Sequence, residues 1–247
     1  MQNPTVLRIK ASDEGAVRVL TFARPDKLNA FDSAMWYGLA DALDAASADD
    51  SVHVVVLTGE GRAFSAGQDI DEMTLLATGR APEGAEGAFP ALLDALGRFD
   101  KPLLAAVNGF GIGIGATILG HCDLVVMAQS ARLKTPFAQM GVAPEAASSY
   151  LLPLRLGPAL AADMLLRGRW ITAEEALSAG LALEVVPDDE VLARTVELAS
   201  EVAAAPLASL RAIVGTMRAA HHDAIVAARA REDAAFEALL ATFVPPI

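Results

Sequence analysis

The chain has one cysteine, Cys122, among its 247 residues. No intramolecular disulfide can staple it, and a reducing compartment suits it. Aromatic residues make up only 5% against a hydrophobic share of 53%. A core of this size must then be built largely from Ala, Leu and Val, whose small side chains let backbones approach closely. Basic residues are the scarcer charge, 19 Lys and Arg against 31 Asp and Glu, for a net −12. A polyanion would be repelled outside any local basic patch, which argues against nucleic acid and against an anionic membrane surface as partners. No apolar run has the ~20 residues of a spanning helix. The opening Met1-Gln2-Asn3-Pro4-Thr5 has neither the basic segment nor the apolar stretch of a secretory signal, so a cytoplasmic protein is expected. The trio His121-Cys122-Asp123 lacks a second ligand pair at metal-site spacing, so no metal is expected.

Residues 6–10 and 16–22 have the composition of strands, and Asp13-Glu14-Gly15 supplies turn chemistry between them, which predicts an opening hairpin. Pro25 ends the second strand. Asp32 or Ser33 can cap a helix over residues 34–46, with Met35, Leu39, Ala42 and Leu43 on one side. Residues 52–57 form a nearly unbroken apolar run, the mark of a strand covered on both faces, and residues 103–107 and 124–127 share it. Strands separated by helices imply crossover units and an α/β fold. Residues 78–87, rich in Gly and Ala, read as a mobile loop near the site. After Pro187, Asp188 and Asp189 can open a helix; the remainder is helix-forming, broken mainly by Pro206 and Gly215. The reading is a core over residues 1–187 and a helical C-terminal portion over 188–247.

Two segments carry the chemistry. In Val56-Leu57-Thr58-Gly59-Glu60-Gly61-Arg62-Ala63-Phe64-Ser65-Ala66-Gly67-Gln68-Asp69-Ile70 an apolar run collapses into a glycine-bracketed turn and reopens as a helix start. The stretch Leu103-Leu104-Ala105-Ala106-Val107-Asn108-Gly109-Phe110-Gly111-Ile112-Gly113-Ile114-Gly115-Ala116-Thr117 repeats the pattern. Such turns aim free backbone N–H groups outward, and two facing one point would make an oxyanion hole. Two other readings compete. Gly111, Gly113 and Ala116 fit a dinucleotide fingerprint, but no carboxylate follows near Ser130-Ala131-Arg132-Leu133. Ala63-Phe64-Ser65-Ala66-Gly67 is one glycine short of a nucleophile elbow, with Asp123 and His221 or His222 following in hydrolase order, so a serine acyl-hydrolase is a different-mechanism alternative.

Together with Arg24-Pro25-Asp26-Lys27-Leu28-Asn29-Ala30 and Pro144-Glu145-Ala146-Ala147-Ser148-Ser149-Tyr150, these segments resemble the crotonase, or enoyl-CoA hydratase/isomerase, superfamily over most of the chain. The resemblance implies a ββα spiral core with a helical C-terminal portion that makes oligomer contacts in a homotrimer or a hexamer. It implies an acyl-CoA thioester substrate, with coenzyme A as part of the substrate and no separate cofactor. It places the two oxyanion N–H groups at Gln68 and Ile114. It sets Lys27, Leu28, Ala30, Ala66, Gly67, Gln68, Asp69, Ile70 and Ile114 around the coenzyme A moiety, with Lys27 and Arg62 as candidate phosphate partners, and it leaves Phe236 as a candidate to line a neighbouring site. Hydratases of the family use two glutamates; those places hold Thr117 and Phe137 here, neither of which is a base near neutral pH. Glu145 instead matches the glutamate of the Δ3,Δ2-enoyl-CoA isomerase branch. A competing account makes Glu145 a first-turn helix carboxylate. The expected activity is double-bond isomerisation through a thioester enolate. A hydratase or other lyase of the family is the nearest alternative, and a non-catalytic acyl-CoA binder a further one.

Overall fold

The computed structural model describes residues 8–82 and 84–240. The chain opens with an antiparallel hairpin of β1 (Ile9–Glu14) and β2 (Val17–Phe22). The hairpin starts later than its composition suggests: Asp13 and Glu14 belong to β1, and the turn falls on Gly15 and Ala16, with Gly15 at φ 62°. Residues 6 and 7 of the expected first strand lie outside the described residues. Helix α1 (Ser33–Ala48) follows, its first turn capped by Asp32, whose side chain accepts from Met35 N at 2.9 Å. Its inward face holds Met35, Trp36, Leu39, Ala40, Leu43 and Ala46.

Three successive units then each lay down one strand in each of two sheets. They are β3 (Val54–Gly59) with β4 (Ala63–Ser65), followed by α2 (Ile70–Ala77) and α3 (Ala88–Arg98); β5 (Leu103–Val107) with β6 (Phe110–Ile112), followed by α4 (Ile114–Thr117); and β7 (Leu124–Ala128) with β8 (Arg132–Lys134), followed by α5 (Phe137–Met140), α6 (Ser148–Leu156) and α7 (Pro158–Arg167). β9 (Ile171–Thr172), α8 (Ala173–Ala179) and β10 (Glu184–Val186) complete the sheets. The larger sheet has the order β1-β2-β3-β5-β7-β10 and is parallel from β2 onward; the smaller has the order β4-β6-β8-β9. All five residues of β5 are buried, which explains its unbroken apolar run. Between α2 and α3, Tyr37 Oη donates to Gly84 O at 2.8 Å, beside a short turn at Ala85–Gly87.

Three helices end the described chain: α9 (Val191–Ala203), α10 (Leu207–Ala219) and α11 (His222–Leu240). Pro206 stops α9 as expected, but Gly215 lies inside α10, and the second break falls at Ala220 and His221. An exposed helical glycine costs only about 1 kcal/mol, too little to end a helix by itself. α9 packs on β2, β3, β5 and β7 of the large sheet, whereas α11 packs on α6 and α10. No single helix among the described residues is long and apolar enough to cross a membrane.

Candidate active site

β4 and β6 pair in parallel, so the chain leaves both strands at the same end of the small sheet. The two glycine turns that follow lie against one another. A Cβ on Gly67, which sits at φ 93°, would stand 2.8 Å from Ile112 O, and one on Gly115 would stand 2.5 Å from Ser65 O. Only glycine admits that approach.

The backbone donors of these turns can be accounted for one at a time. Ala66 N donates to Leu28 O at 2.9 Å, Gly67 N to Ser65 Oγ at 3.1 Å and Asp69 N to Phe31 O at 2.9 Å. The Gln68 N–H between them has no acceptor among the described residues. In the second turn Gly113 N donates to Lys134 O at 2.9 Å, while Ala116 N and Thr117 N close onto Gly113 O. The N–H groups of Ile114 and Gly115, at the first turn of α4, have no acceptor among the described residues. The two donors expected from sequence, Gln68 and Ile114, are therefore free on adjoining turns.

The upstream turn at residues 24–30 is fastened to the first of these. Ser65 Oγ donates to Asn29 O at 2.8 Å, and Arg24 pairs with Asp69 at 2.8 Å. Leu28 and Asn29 hold positive φ of 53° and 58°, and the buried Asn29 amide donates to Glu60 O and Ala63 O. Lys27, Leu28, Ala30 and residues 66–70 thus form one continuous wall. Its members differ in what they leave for a ligand. Asp69 spends its N–H on Phe31 and its carboxylate on Arg24 and on capping α2, so it presents neither. Burial raises the Asp69 carboxyl, but the Arg24 guanidinium and the α2 N–H bonds outweigh it and hold the group below its usual range. Lys27 is exposed and pairs with Asp71 at 3.2 Å, while Arg62 is exposed with no ion pair among the described residues.

Glu145 lies in the connection between α5 and α6 and is joined to α4, which opens at Ile114, through Thr117. It is not a first-turn helix carboxylate: α6 begins at Ser148, and Ala146 and Ala147 between them adopt left-handed φ of 56° and 57°. Two buried alanines in that region are strained, and such strain persists only where the surroundings enforce it. The enforcing contacts come from three elements. His121 Nε2 lies 2.8 Å from Ala146 O, Glu232 of α11 accepts from Ala147 N at 2.7 Å and Ser149 N at 2.8 Å, and Thr117 Oγ1 donates to Glu145 Oε1 at 2.6 Å. The other carboxyl oxygen, Oε2, is buried without a partner among the described residues. Burial pushes the Glu145 carboxyl up to about 8, the Thr117 bond opposing and the nearby Glu232 charge adding to the rise. Burial also pushes His121 down to about 4, so its ring is neutral and gives its Nε2 proton to Ala146 O.

Several other groups singled out in the sequence are structural. Ser65 is fully buried with its hydroxyl donated to Asn29 O; Asp123 accepts from Leu103 N and pairs with Arg218; His221 Nδ1 lies 2.8 Å from Tyr150 Oη. No Ser-His-Asp array is assembled among the described residues, which argues against the acyl-hydrolase reading. No cluster of metal-ligating side chains occurs among the described residues. Phe137, at the second hydratase-glutamate place, is buried at the start of α5, and Phe236 is half-buried on α11. The Thr117–Glu145 bond and the His121 and Glu232 clamps had no sequence signal, since they join residues 25 to 85 positions apart.

Comparison with known proteins shows the family. The enoyl-CoA hydratase/isomerase family profile matches residues 12–243. The chain is 37% identical over 234 residues to 2,3-dehydroadipyl-CoA hydratase of Escherichia coli K12, covering 94% of this chain and 89% of that protein. It is 40% identical over 183 residues to human enoyl-CoA delta isomerase 2, covering 73% of this chain and 46% of that protein. An enoyl-CoA hydratase/isomerase crystal structure from Pseudoalteromonas atlantica superposes with a TM-score of 0.89 at 37% identity, covering 95% of this chain and 92% of that one. The chain belongs to the enoyl-CoA hydratase/isomerase family and is an enzyme with the crotonase fold.

Proposed function

We propose that this enzyme is a Δ3,Δ2-enoyl-CoA isomerase. The observation that carries the reading is a single buried carboxyl with one oxygen held by Thr117 and the other unspent. The thioester oxygen of a 3-enoyl-CoA accepts the N–H groups of Gln68 and Ile114. Glu145 Oε2 takes a proton from C2, and the electron pair of that C–H bond delocalises onto the oxygen as a dienolate. The same carboxyl then returns the proton to C4 while the C2–C3 double bond forms, so nothing is gained or lost overall. An acid whose proton is held near pH 8 suits both halves of that transfer. The wall of residues 66–70, with its free Gln68 N–H, and Arg62, exposed with no ion pair among the described residues, suit the coenzyme A moiety and its phosphates, and assembly as a trimer or hexamer belongs to the same reading.

Hydration is the second reading, favoured by the similarity to 2,3-dehydroadipyl-CoA hydratase. It calls for a second acid-base group to activate water, and Thr117 and Phe137 supply none. The test is to give the enzyme a 3-enoyl-CoA and a 2-enoyl-CoA separately and to follow double-bond position and 3-hydroxy product. Isomerisation without hydration, lost by 10³-fold or more in Glu145→Gln, supports the proposal; 3-hydroxyacyl-CoA as the main product overturns it.

A further inference from the structure

We infer that Glu232, on the last described helix, is a positioning residue for Glu145, making the docking of α11 part of the active site's construction. This rests on Glu145 being the proton carrier. Glu232 is a carboxylate in the interior, only 5% exposed, on a helix whose other acids face solvent. Both its oxygens are spent on one turn: Oε2 accepts from Ala147 N and Oε1 from Ser149 N. Those N–H groups belong to the start of α6, whose own N-cap position holds Ala147, a residue with no side chain that can cap. Glu232 supplies from 83 to 85 positions away what Ser, Asp or Asn supplies locally in other helices. By gripping Ala147 it fixes the second of the two left-handed residues that follow Glu145, while His121 grips the first through Ala146 O.

A purely structural cap would contribute to stability alone. The placement here does more, because the turn it fixes carries the carboxyl, and because a fixed negative charge beside Glu145 favours its protonated form. The other titratable and charged groups around the turn are His121 after α4, Arg155 on α6, Arg218 and His221 at the end of α10, and Arg229 on α11. Of these His121 is neutral, and Arg218 is engaged by Asp123.

The experiment compares Glu232→Gln, which keeps the shape and removes the charge, with wild type and Glu145→Gln. The readouts are kcat and KM for a 3-enoyl-CoA across pH, and hydrogen exchange at the Ala147 and Ser149 amides. Glu232→Gln is expected to lower kcat by about ten- to a hundredfold with KM little changed, to move the acid limb of the kcat profile to lower pH, and to speed exchange at both amides. Arg229→Ala cuts the 2.8 Å pair with Asp94 that ties α11 to the body of the protein. It is expected to lower kcat and to speed exchange at both amides on a smaller scale, without moving the acid limb to lower pH because the Glu232 charge remains, and it keeps the test open should Glu232→Gln fold poorly. Wild-type kcat and wild-type amide exchange in both variants, with an unmoved acid limb in Glu232→Gln and with Glu145→Gln inactive, overturn the role of Glu232 alone. Full activity in Glu145→Gln overturns the proton-carrier reading itself.

Discussion

The two oxygens of Glu145 have different fates, one bonded to Thr117 and one buried with nothing to accept. An ionised carboxylate in that position is costly, so the folded protein prefers the acid form up to about pH 8, against 4.5 for the free side chain. The sign of the linkage follows. Below about pH 4.5 the group is protonated whether folded or not and exacts nothing. Between 4.5 and about 8 only the unfolded chain releases the proton, so Glu145 withdraws stability as pH rises, and the full cost stands above 8. Glu145→Gln has no proton to lose. Its melting temperature relative to wild type should therefore climb from pH 5.5 to about 8 and then level, as followed by scanning calorimetry; a flat difference would mean that the carboxyl titrates normally. Chain pattern could name position 145, but not this environment. Thr117, read only as a missing base, is in fact the group that orients the carboxyl, a contact made 28 residues away.

At the scale of elements, much was readable because the physics is local. The runs that form β3, β5 and β7 are apolar but for Thr58 because both faces are covered, and Asp32 caps α1 from the adjacent position. Both donor turns were visible as glycine clusters. What escaped were features made by distant chain. Lys101 is wholly buried, with Nζ donating to Ala46 O, Asp49 O and Val52 O and so closing the end of α1, although its sequence neighbours give no hint of it. The close approach of the glycine turns yields a prediction of its own. Gly67→Ala would place a methyl 2.8 Å from Ile112 O and force the two donors apart. Its kcat should fall about a hundredfold, the scale of losing one oxyanion donor. Gly180→Ala meets the same kind of left-handed backbone, φ 88°, with nothing within 4 Å of the new methyl. It should lower the melting temperature and leave kcat as it was; equal kcat in both variants would argue against a paired-donor site.

For the whole molecule, the unresolved account is apolar surface. Leu166 is 73% exposed on α7, Leu154 and Leu183 about half, and α10 and α11 show Ile213, Met217 and Val226. Ile213 and Met217, four residues apart, share one face of α10, and an exposed apolar patch there suits burial against another chain. Light scattering at micromolar concentration should return the mass of three or six chains of 25.7 kDa, and a monomer would count against the trimer or hexamer. Residues 188–247 read as a helical C-terminal portion, and within its described residues α9 seals the large sheet while α11 reaches the turn beside Glu145.

That last contact orders events in time. Synthesis runs from the N-terminus, so both sheets and the two donor turns can condense while the ribosome is still adding α10 and α11. The turn beside Glu145 meets its distant anchor only after residue 232 has emerged. Under the proposed function, a nascent chain could then bind a thioester before it can turn it over, and the ability to move a proton would wait for α11.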